Sequence, residues 1–390
     1  MELERRENEN SQQYIWRIGQ LKDAGLITES WDELAPKLNL ATDSDKCSDN
    51  WRKEYGIAKR YYTNVFQEKI ETEDSIKALI LKKQAQTKNI ETNKWLREHA
   101  RDELILEEIR QCVSELEPFD IPKPIETPTG EKVGVLCFGD EHFGTQFTVY
   151  GLNGEVINEY NDTIFYTRMS KLAQKALDIV NKNGLTDLYI FTFGDFADGI
   201  LRTSQLLKLQ YGVVESTVKY AEFISEWLDV LSNYVRIHFQ TTPGNHTELR
   251  LIGQPKGTFT NENMDLVVRA FIKERMRNNP NFEMKENPTG YIYENIFGYN
   301  FLGVHGEISG SSAVKNFATA YDTKINYFMA GHKHHKMADE IGTDVEFIGI
   351  PSIIGVDPYA MSLQVTSNPA ATLLLIEDGA GMTSQHFIKL

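Results

Sequence analysis

Eight apolar runs follow one another after residue 130: KVGVLCFGD (132–140), DLYIFTFGD (187–195), VRIHFQTTPGN (235–245), YNFLGVHGE (299–307), INYFMAGHK (325–333), VEFIGIPSI (345–353), ATLLLIED (371–378) and QHFIKL (385–390). Most are nearly unbroken, the pattern of strands covered on both faces rather than on one. Helical periodicity over 163–182 and 213–232 separates the early runs and predicts βαβ units, hence a sheet core flanked by helices. Before residue 119 the pattern is different. It is helical, polar and poor in β-branched runs, and it ends at Phe119-Asp-Ile-Pro-Lys-Pro-Ile-Glu-Thr-Pro-Thr-Gly130, where three prolines and a glycine read as a linker. The expected division is a helical extension at 1–118, a linker at 119–130 and an α/β domain at 131–390.

In the extension, Ser30 and Glu33 have capping-box spacing, so a helix should begin there. The stretch Asp49-Asn-Trp-Arg-Lys-Glu-Tyr-Gly-Ile-Ala-Lys-Arg-Tyr-Tyr62 predicts a following helix that is basic and aromatic. Short helix, turn and basic helix resemble a helix-turn-helix, with Arg52, Lys53, Lys59 and Arg60 facing phosphates and Trp51, Tyr61 and Tyr62 packing or stacking. Residues 73–116 read as a long polar helix with apolar positions at Ile90, Leu104, Ile109 and Val113. That periodicity is too broken for a coiled coil, so a spacer or an arm for homo-oligomerisation is expected.

The ends of the first five apolar runs carry the chemistry: GDEH, GDFAD, GNHTE, HGE and GHKHH. Ligands of open α/β sheets bind beyond the carboxyl ends of the strands, so five such ends would converge on one crevice. Asp140 and His142, and again His332 and His334, are spaced i, i+2. On extended backbone i and i+2 point the same way, so Asp140 and His142 could both reach one ion. Asp195 and Asp198 close the second run, Asn245 and His246 follow the Pro243-Gly244 turn, and His305 closes the fourth. Mixed oxygen and imidazole donors suit manganese, iron, zinc or nickel better than magnesium or calcium. His335, next to a ligand, should point the other way, and His238, in mid-strand, should be core.

Composition narrows the setting. Three scattered cysteines, Cys47, Cys112 and Cys137, imply no disulfide framework and no cysteine zinc site, as expected of a cytoplasmic protein. The N-terminal stretch lacks the apolar core of a signal peptide, and no run is long and apolar enough to span a membrane. The net charge of −15 repels polyanions at long range, so a nucleic-acid substrate would need local cations and metal ions to outweigh that field.

Taken in order, GDEH, GDFADG, GNHTE, GVHGE and GHKH resemble the successive blocks of the calcineurin-like metallophosphoesterase superfamily: D-x-H, G-D-x-x-D, G-N-H-[DE], H and G-H-x-H. All five lie within roughly 135–335. The resemblance implies a four-layer α/β/β/α sandwich with two divalent metal ions, Mn2+ foremost, at the strand ends. It assigns Asp140, His142 and His334 to one ion, Asn245, His305 and His332 to the other, and Asp195 to both. It gives His246 the part of the histidine that steadies phosphoryl oxygens or protonates the leaving group, and makes Asp198 the partner that orients His246 or a ligand. Water activated between two cations would then attack phosphorus in line, with no serine or cysteine nucleophile. Thr247 stands where the family's third block carries an acid.

The motifs name a chemistry and leave the phosphoester open. The helical extension favours DNA and a nuclease similar to the superfamily branch that contains the DNA repair exonuclease subunit. A phosphodiesterase for cyclic or other small nucleotides, a phosphatase, and a DNA-binding or assembly protein with an inert phosphoesterase domain are the alternatives. Arg202, Arg250 and Lys256 are the expected backbone contacts beside the crevice, and Tyr359, after the sixth run, is a further substrate candidate.

Overall fold

The computed structural model describes residues 3–65, 83, 87, 103, 104, 106–198, 209–248, 263–306 and 308–390. Contacts divide the chain into two compact units, Met1–Arg97 and Glu98–Leu390. In the first, α1 (Ser11–Asp23), α2 (Trp31–Thr42) and α3 (Ser48–Val65) pack around a small core of Tyr14, Ile15, Ile18, Leu34, Leu38, Trp51 and Tyr55. The Ser30–Glu33 capping box forms in both directions and starts α2 where the spacing predicts. Trp51 is buried, and its Nε1 donates to Asn39 Oδ1 at 2.9 Å, so this ring packs and is not offered to a base.

The second unit is the four-layer α/β/β/α sandwich, joined in the chain to an N-terminal helical extension. One sheet has the order β13 (Gly381–Lys389), β12 (Ala370–Glu377), β1 (Lys132–Phe138), β4 (Asp187–Thr192), β5 (Arg236–Thr241), β6 (Phe282–Met284). The other runs β10 (Met337–Gly342), β11 (Val345–Gly349), β9 (Tyr327–Ala330), β8 (Tyr299–Val304), β7 (Ile292–Ile296). Val133, Val135, Cys137, Phe191, Phe193, Leu374 and Ile376 of the first sheet meet Ile292, Phe301, Met329 and Ile348 of the second in one buried layer. Helices α4 (Asp162–Asn183), α5 (Val213–Ser232) and α6 (Asp265–Arg275) cover the outer face of the first sheet. Helix α7 (Ser311–Ala320) covers the second through Ala313, Val314 and Phe317. Apolar side chains on both faces explain the unbroken runs of β1 and β12.

Strands β1, β4 and β5 are parallel neighbours, as are β8 and β9 in the other sheet. Their carboxyl ends carry all five polar blocks. A short hairpin, β2 (Phe147–Tyr150) and β3 (Val156–Tyr160), follows the first block. The helical turns at 106–115 belong with this second unit, where Ile109, Val113 and Leu116 join its main core. His238 is half-buried rather than core: it stacks on Tyr189 at 4.5 Å, and its Nε2 lies 2.9 Å from Asp187 Oδ1.

Candidate metal centre

The donor-bearing turns are pinned to one another by their backbones. Asp140 N–H donates to Gly194 O (3.0 Å), His142 N–H to Asp195 O (3.0 Å) and Phe143 N–H to Phe196 O (2.7 Å), so the first and second blocks run side by side. Gly194 and Gly244 touch back to back. A Cβ on Gly244 would lie 2.1 Å from Asp195 Oδ1, and one on Gly194, at φ +76°, would lie 2.6 Å from Gly244 N. Only glycine permits this approach between the second and third blocks.

Ten non-glycine residues have positive φ among the described residues, and five of them are candidate ligands: Asp140 (51°), His142 (46°), Asp195 (53°), His332 (63°) and His334 (57°). Left-handed kinks therefore place both i, i+2 pairs, Asp140 and His142 in one donor set and His332 and His334 in two different ones, which corrects the expectation of extended backbone. Such conformations cost energy and persist where surrounding structure imposes them, commonly at functional sites.

Two donor sets result, each with ligand atoms mutually within 4.8 Å: Asp140, His142 and His334, and Asp195, His305 and His332. Asp140 and Asp195 are buried, His142 and His305 nearly so. In the second set His305 Nδ1–H donates to Phe193 O at 2.6 Å, which aims Nε2 inward. That atom lies 3.0 Å from Asn245 Oδ1, 3.0 Å from Asp195 Oδ2 and 3.1 Å from His332 Nδ1. Asn245 thus joins the set the resemblance assigns it to. Asp195 groups with the second set, and it acts on Asp140 in the first through its charge.

A third group, His142, Asp198 and His246, shows what Asp198 does. Its Oδ1 lies 2.8 Å from His142 Nδ1 and 2.6 Å from His246 Nδ1, while Oδ2 accepts from Thr145 Oγ1 at 2.7 Å. An ionised carboxylate only accepts, so both rings donate Nδ1–H, and both Nε2 atoms face away from Asp198. Among the described residues His142 Nε2 and Asp140 Oδ1 are buried without a hydrogen-bond partner of good geometry. Buried polar atoms seldom go unpaired. Two orphaned acceptors beside a third donor, His334 Nε2 at 3.4 Å from Asp140 Oδ1, fit a cation of the kind that nitrogen and oxygen ligands prefer.

The ionisation of the cluster follows from burial and charge. Burial opposes charge on Asp195 and Asp198, yet the surrounding imidazoles hold both carboxyls well below the usual range. Burial likewise opposes charge on His246 and His305. The carboxylates beside them win and lift His246 to about 9 and His305 to about 10. His332 goes the other way, to about 4, through burial and the charge of His305. Without an ion the carboxylates are thus balanced by protons on imidazoles, and a bound cation would displace those on ligating rings.

Several supporting residues carry no motif. Arg168 is buried with no carboxylate partner among the described residues; its guanidinium donates to Ile353 O (2.9 Å), Ile354 O (2.8 Å) and Asn158 Oδ1 (2.6 Å). Ile353 and Ile354 in turn donate to Gly139 O and Asp140 O, so the hairpin helps hold the first block. Glu141 is buried beside Asp140, accepts from Tyr220 Oη at 2.9 Å, and is pushed up to about 8 by burial. Tyr359 lies 56% exposed on the short helix α8 (Pro358–Ser362), whose N-cap Asp357 adds to the field on His334. Arg202, Arg250 and Lys256 lie outside the described residues. Arg168 and Asn158 look like ordinary surface residues in sequence, and only their partners reveal them.

Among the described residues no helix is long and apolar enough to cross a membrane. A family model described as the YonJ coiled-coil domain matches residues 82–116, which runs counter to the expectation that the periodicity of 73–116 is too broken for a coiled coil. Over its full length the chain is similar to the SPbeta prophage-derived uncharacterized protein YonJ of Bacillus subtilis (strain 168), at 26% identity over 99% of this chain and 98% of that one. Solved structures similar to it include a dimetal phosphatase from Danio rerio (10% identity, 66% of this chain and 98% of that one, TM-score 0.34). They also include Vps29 complexed with zinc from Entamoeba histolytica (13%, 66% and 98%, TM-score 0.30) and a metallophosphoesterase from Sphaerobacter thermophilus (12%, 66% and 88%, TM-score 0.29).

Proposed function

We propose that this centre hydrolyses phosphoesters with two divalent ions, Mn2+ the first candidate, and that its substrate is DNA. The observation that carries the chemistry is the pair of buried donor sets at the carboxyl ends of five strands, with orphaned acceptors in one of them. Asp140, His142 and His334 would hold one ion, Asn245, His305 and His332 the other, and Asp195 would serve both. When bound, such ions polarise phosphoryl oxygens and activate water for attack on phosphorus.

The chain's own residues supply the rest. Asp198 keeps His142 in the tautomer that presents Nε2 to an ion. It holds His246 by Nδ1 in the same way, with Nε2 at 4.0 Å from Asp195 Oδ2, and the neighbouring carboxylates favour a proton on that ring before any ion is bound. A proton on Nε2 would offset charge on a phosphoryl oxygen, or pass to the leaving oxygen and leave the ring neutral. Support for DNA comes from the three-helix unit. Lys59 pairs with Asp23 (2.7 Å) and Arg52 with Asp49 (2.8 Å), but these are exposed pairs of small net value, so phosphates can replace the acids.

The test is a substrate panel with Mn2+ or chelator: linear DNA, circular DNA, bis-p-nitrophenyl phosphate and cyclic nucleotides. Metal-dependent cleavage of DNA is expected. Cleavage of the small diesters alone would assign the centre to small nucleotides, and no cleavage of any would make it inert. His246→Ala should keep both ions and lose on the order of 100-fold in kcat; unchanged turnover removes it from the reaction.

A further inference from the structure

The turn Pro243–Glu248 carries both Asn245 and His246, so its placement decides whether either is useful. Its front face rests on Asp195, whose Oδ1 accepts His246 N–H at 2.7 Å. Its back face rests on residues 263–265, at the start of α6. Two donors of the turn converge there on a single oxygen: Gly244 N–H at 2.9 Å and Thr247 Oγ1–H at 2.8 Å both reach Asp265 Oδ2. Asn263 Nδ2 donates to Gly244 O at 2.9 Å, Met264 N–H donates to Thr247 O at 3.0 Å, and Asp265 N–H closes the clamp on Asn263 Oδ1 at 2.9 Å.

Asp265 is 4% exposed. Burying a carboxyl is costly unless fixed donors meet it, and here the donors belong to the turn itself. Burial still leaves the group at about 6, above the usual carboxylate range. Nothing in the hydrophobic pattern of α6 asks for an acid at this point. The clamp does, because a backbone N–H and a hydroxyl need one shared acceptor behind the turn.

We propose that Asp265 is a positioning residue, which sets Asn245 and His246 against the metal centre by gripping Gly244 and Thr247 from behind. It touches neither substrate nor ion. Through the turn it fixes Asn245 Oδ1 at 3.0 Å from His305 Nε2 and His246 Nδ1 at 2.6 Å from Asp198. Sites of this kind lose function when their supporting partners let first ligands drift by about 0.5 Å. The inference rests on the proposed metal-dependent reading for its effect on turnover, but the grip on the turn stands apart from it.

The experiment compares the full-length protein with Asp265→Ala, Asp265→Asn and Thr247→Val. Mn2+ titration calorimetry, kcat and KM on bis-p-nitrophenyl phosphate, thermal melting and the NMR signal of the His246 Nδ1 proton are measured together. Asp265→Ala should weaken one Mn2+ equilibrium, the one that uses Asn245, by roughly 10–100-fold and lower kcat by a like factor with KM little changed. Asp265→Asn should restore most of the loss, because one amide oxygen can take both donors. Thr247→Val, which removes one donor, should fall between. If Asp265→Ala lowers only the melting temperature, or if the folded Asp265→Asn protein is as impaired as Asp265→Ala, the inference is overturned. Should the wild type take up no Mn2+, the metal reading fails, and the Nδ1 proton then decides: displacement or loss of its signal in Asp265→Ala supports the grip, and an unmoved signal refutes it.

Discussion

At the scale of single residues, Asp198 is the point where two roles meet. One oxygen receives Nδ1 of His142 and of His246, so one carboxylate sets the tautomer of a candidate ligand and of a candidate acid. Asp198→Asn keeps the volume but offers only one oxygen acceptor and adds two donors that face rings and Thr145. The expected result is a loss of roughly 10–100-fold in Mn2+ affinity of the first set, together with a larger fall in kcat. Parallel metal titration and steady-state kinetics check it, and retention of both parameters would remove Asp198 from the site. The donors were legible in sequence because each follows an apolar run. The five positive φ values were not, since only contacts between blocks impose them.

At the scale of elements, the lower ends of β4 and β5 are stapled by a buried ion pair. Asp187 Oδ1 accepts from Arg236 Nε at 3.0 Å and lies 2.9 Å from His238 Nε2, while Oδ2 accepts from Arg236 Nη2 at 2.6 Å. Arg236 also donates to Ile125 O and Thr127 O, which ties the proline-rich linker to the sheet. Burial alone would raise the Asp187 carboxyl; His238, Arg236 and Thr186 hold it well below its usual range. A depressed carboxyl stabilises the fold above the unfolded pKa of about 3.9, and that contribution fades as pH falls through the folded value. Asp187→Asn should therefore cost roughly 3 kcal/mol at pH 7, and the gap to wild type should start to shrink near about pH 4 and narrow further as pH falls toward the depressed folded value. Urea unfolding at a series of pH values measures this; a pH-independent gap would argue against the staple. The elements missed in sequence share a cause. The hairpin strands, β6, β7 and β10 leave most of their residues unburied, so they lack the apolar run that marks the others.

At the scale of the molecule, two compact units divide the labour of the proposal. The helical turns at 106–115 go with the second unit, so a cut after Arg97 is the one to test. Removal of residues 1–97 should leave Mn2+-dependent hydrolysis of bis-p-nitrophenyl phosphate unchanged and weaken DNA binding at least tenfold at moderate salt, since phosphate contacts dominate such affinity. Fluorescence anisotropy with labelled DNA and the small-diester assay, run side by side, check both halves. Undiminished DNA binding would move the contact to the second unit.

The sequence alone determined the layered sheet core, the polar strand ends and the identity of every donor brought together at the centre. Those features are local: a buried strand needs an apolar run, and a ligand must sit where that run stops. The tertiary structure decided which blocks lie side by side, which ring nitrogen each histidine presents and which distant residues hold the turns. Arg168 reaches Ile354, Asp187 reaches Arg236 and Asp265 reaches Thr247, which are 186, 49 and 18 residues away in the chain. No pattern along the chain encodes such pairs, because hydrogen bonds of this kind depend on proximity that only folding creates.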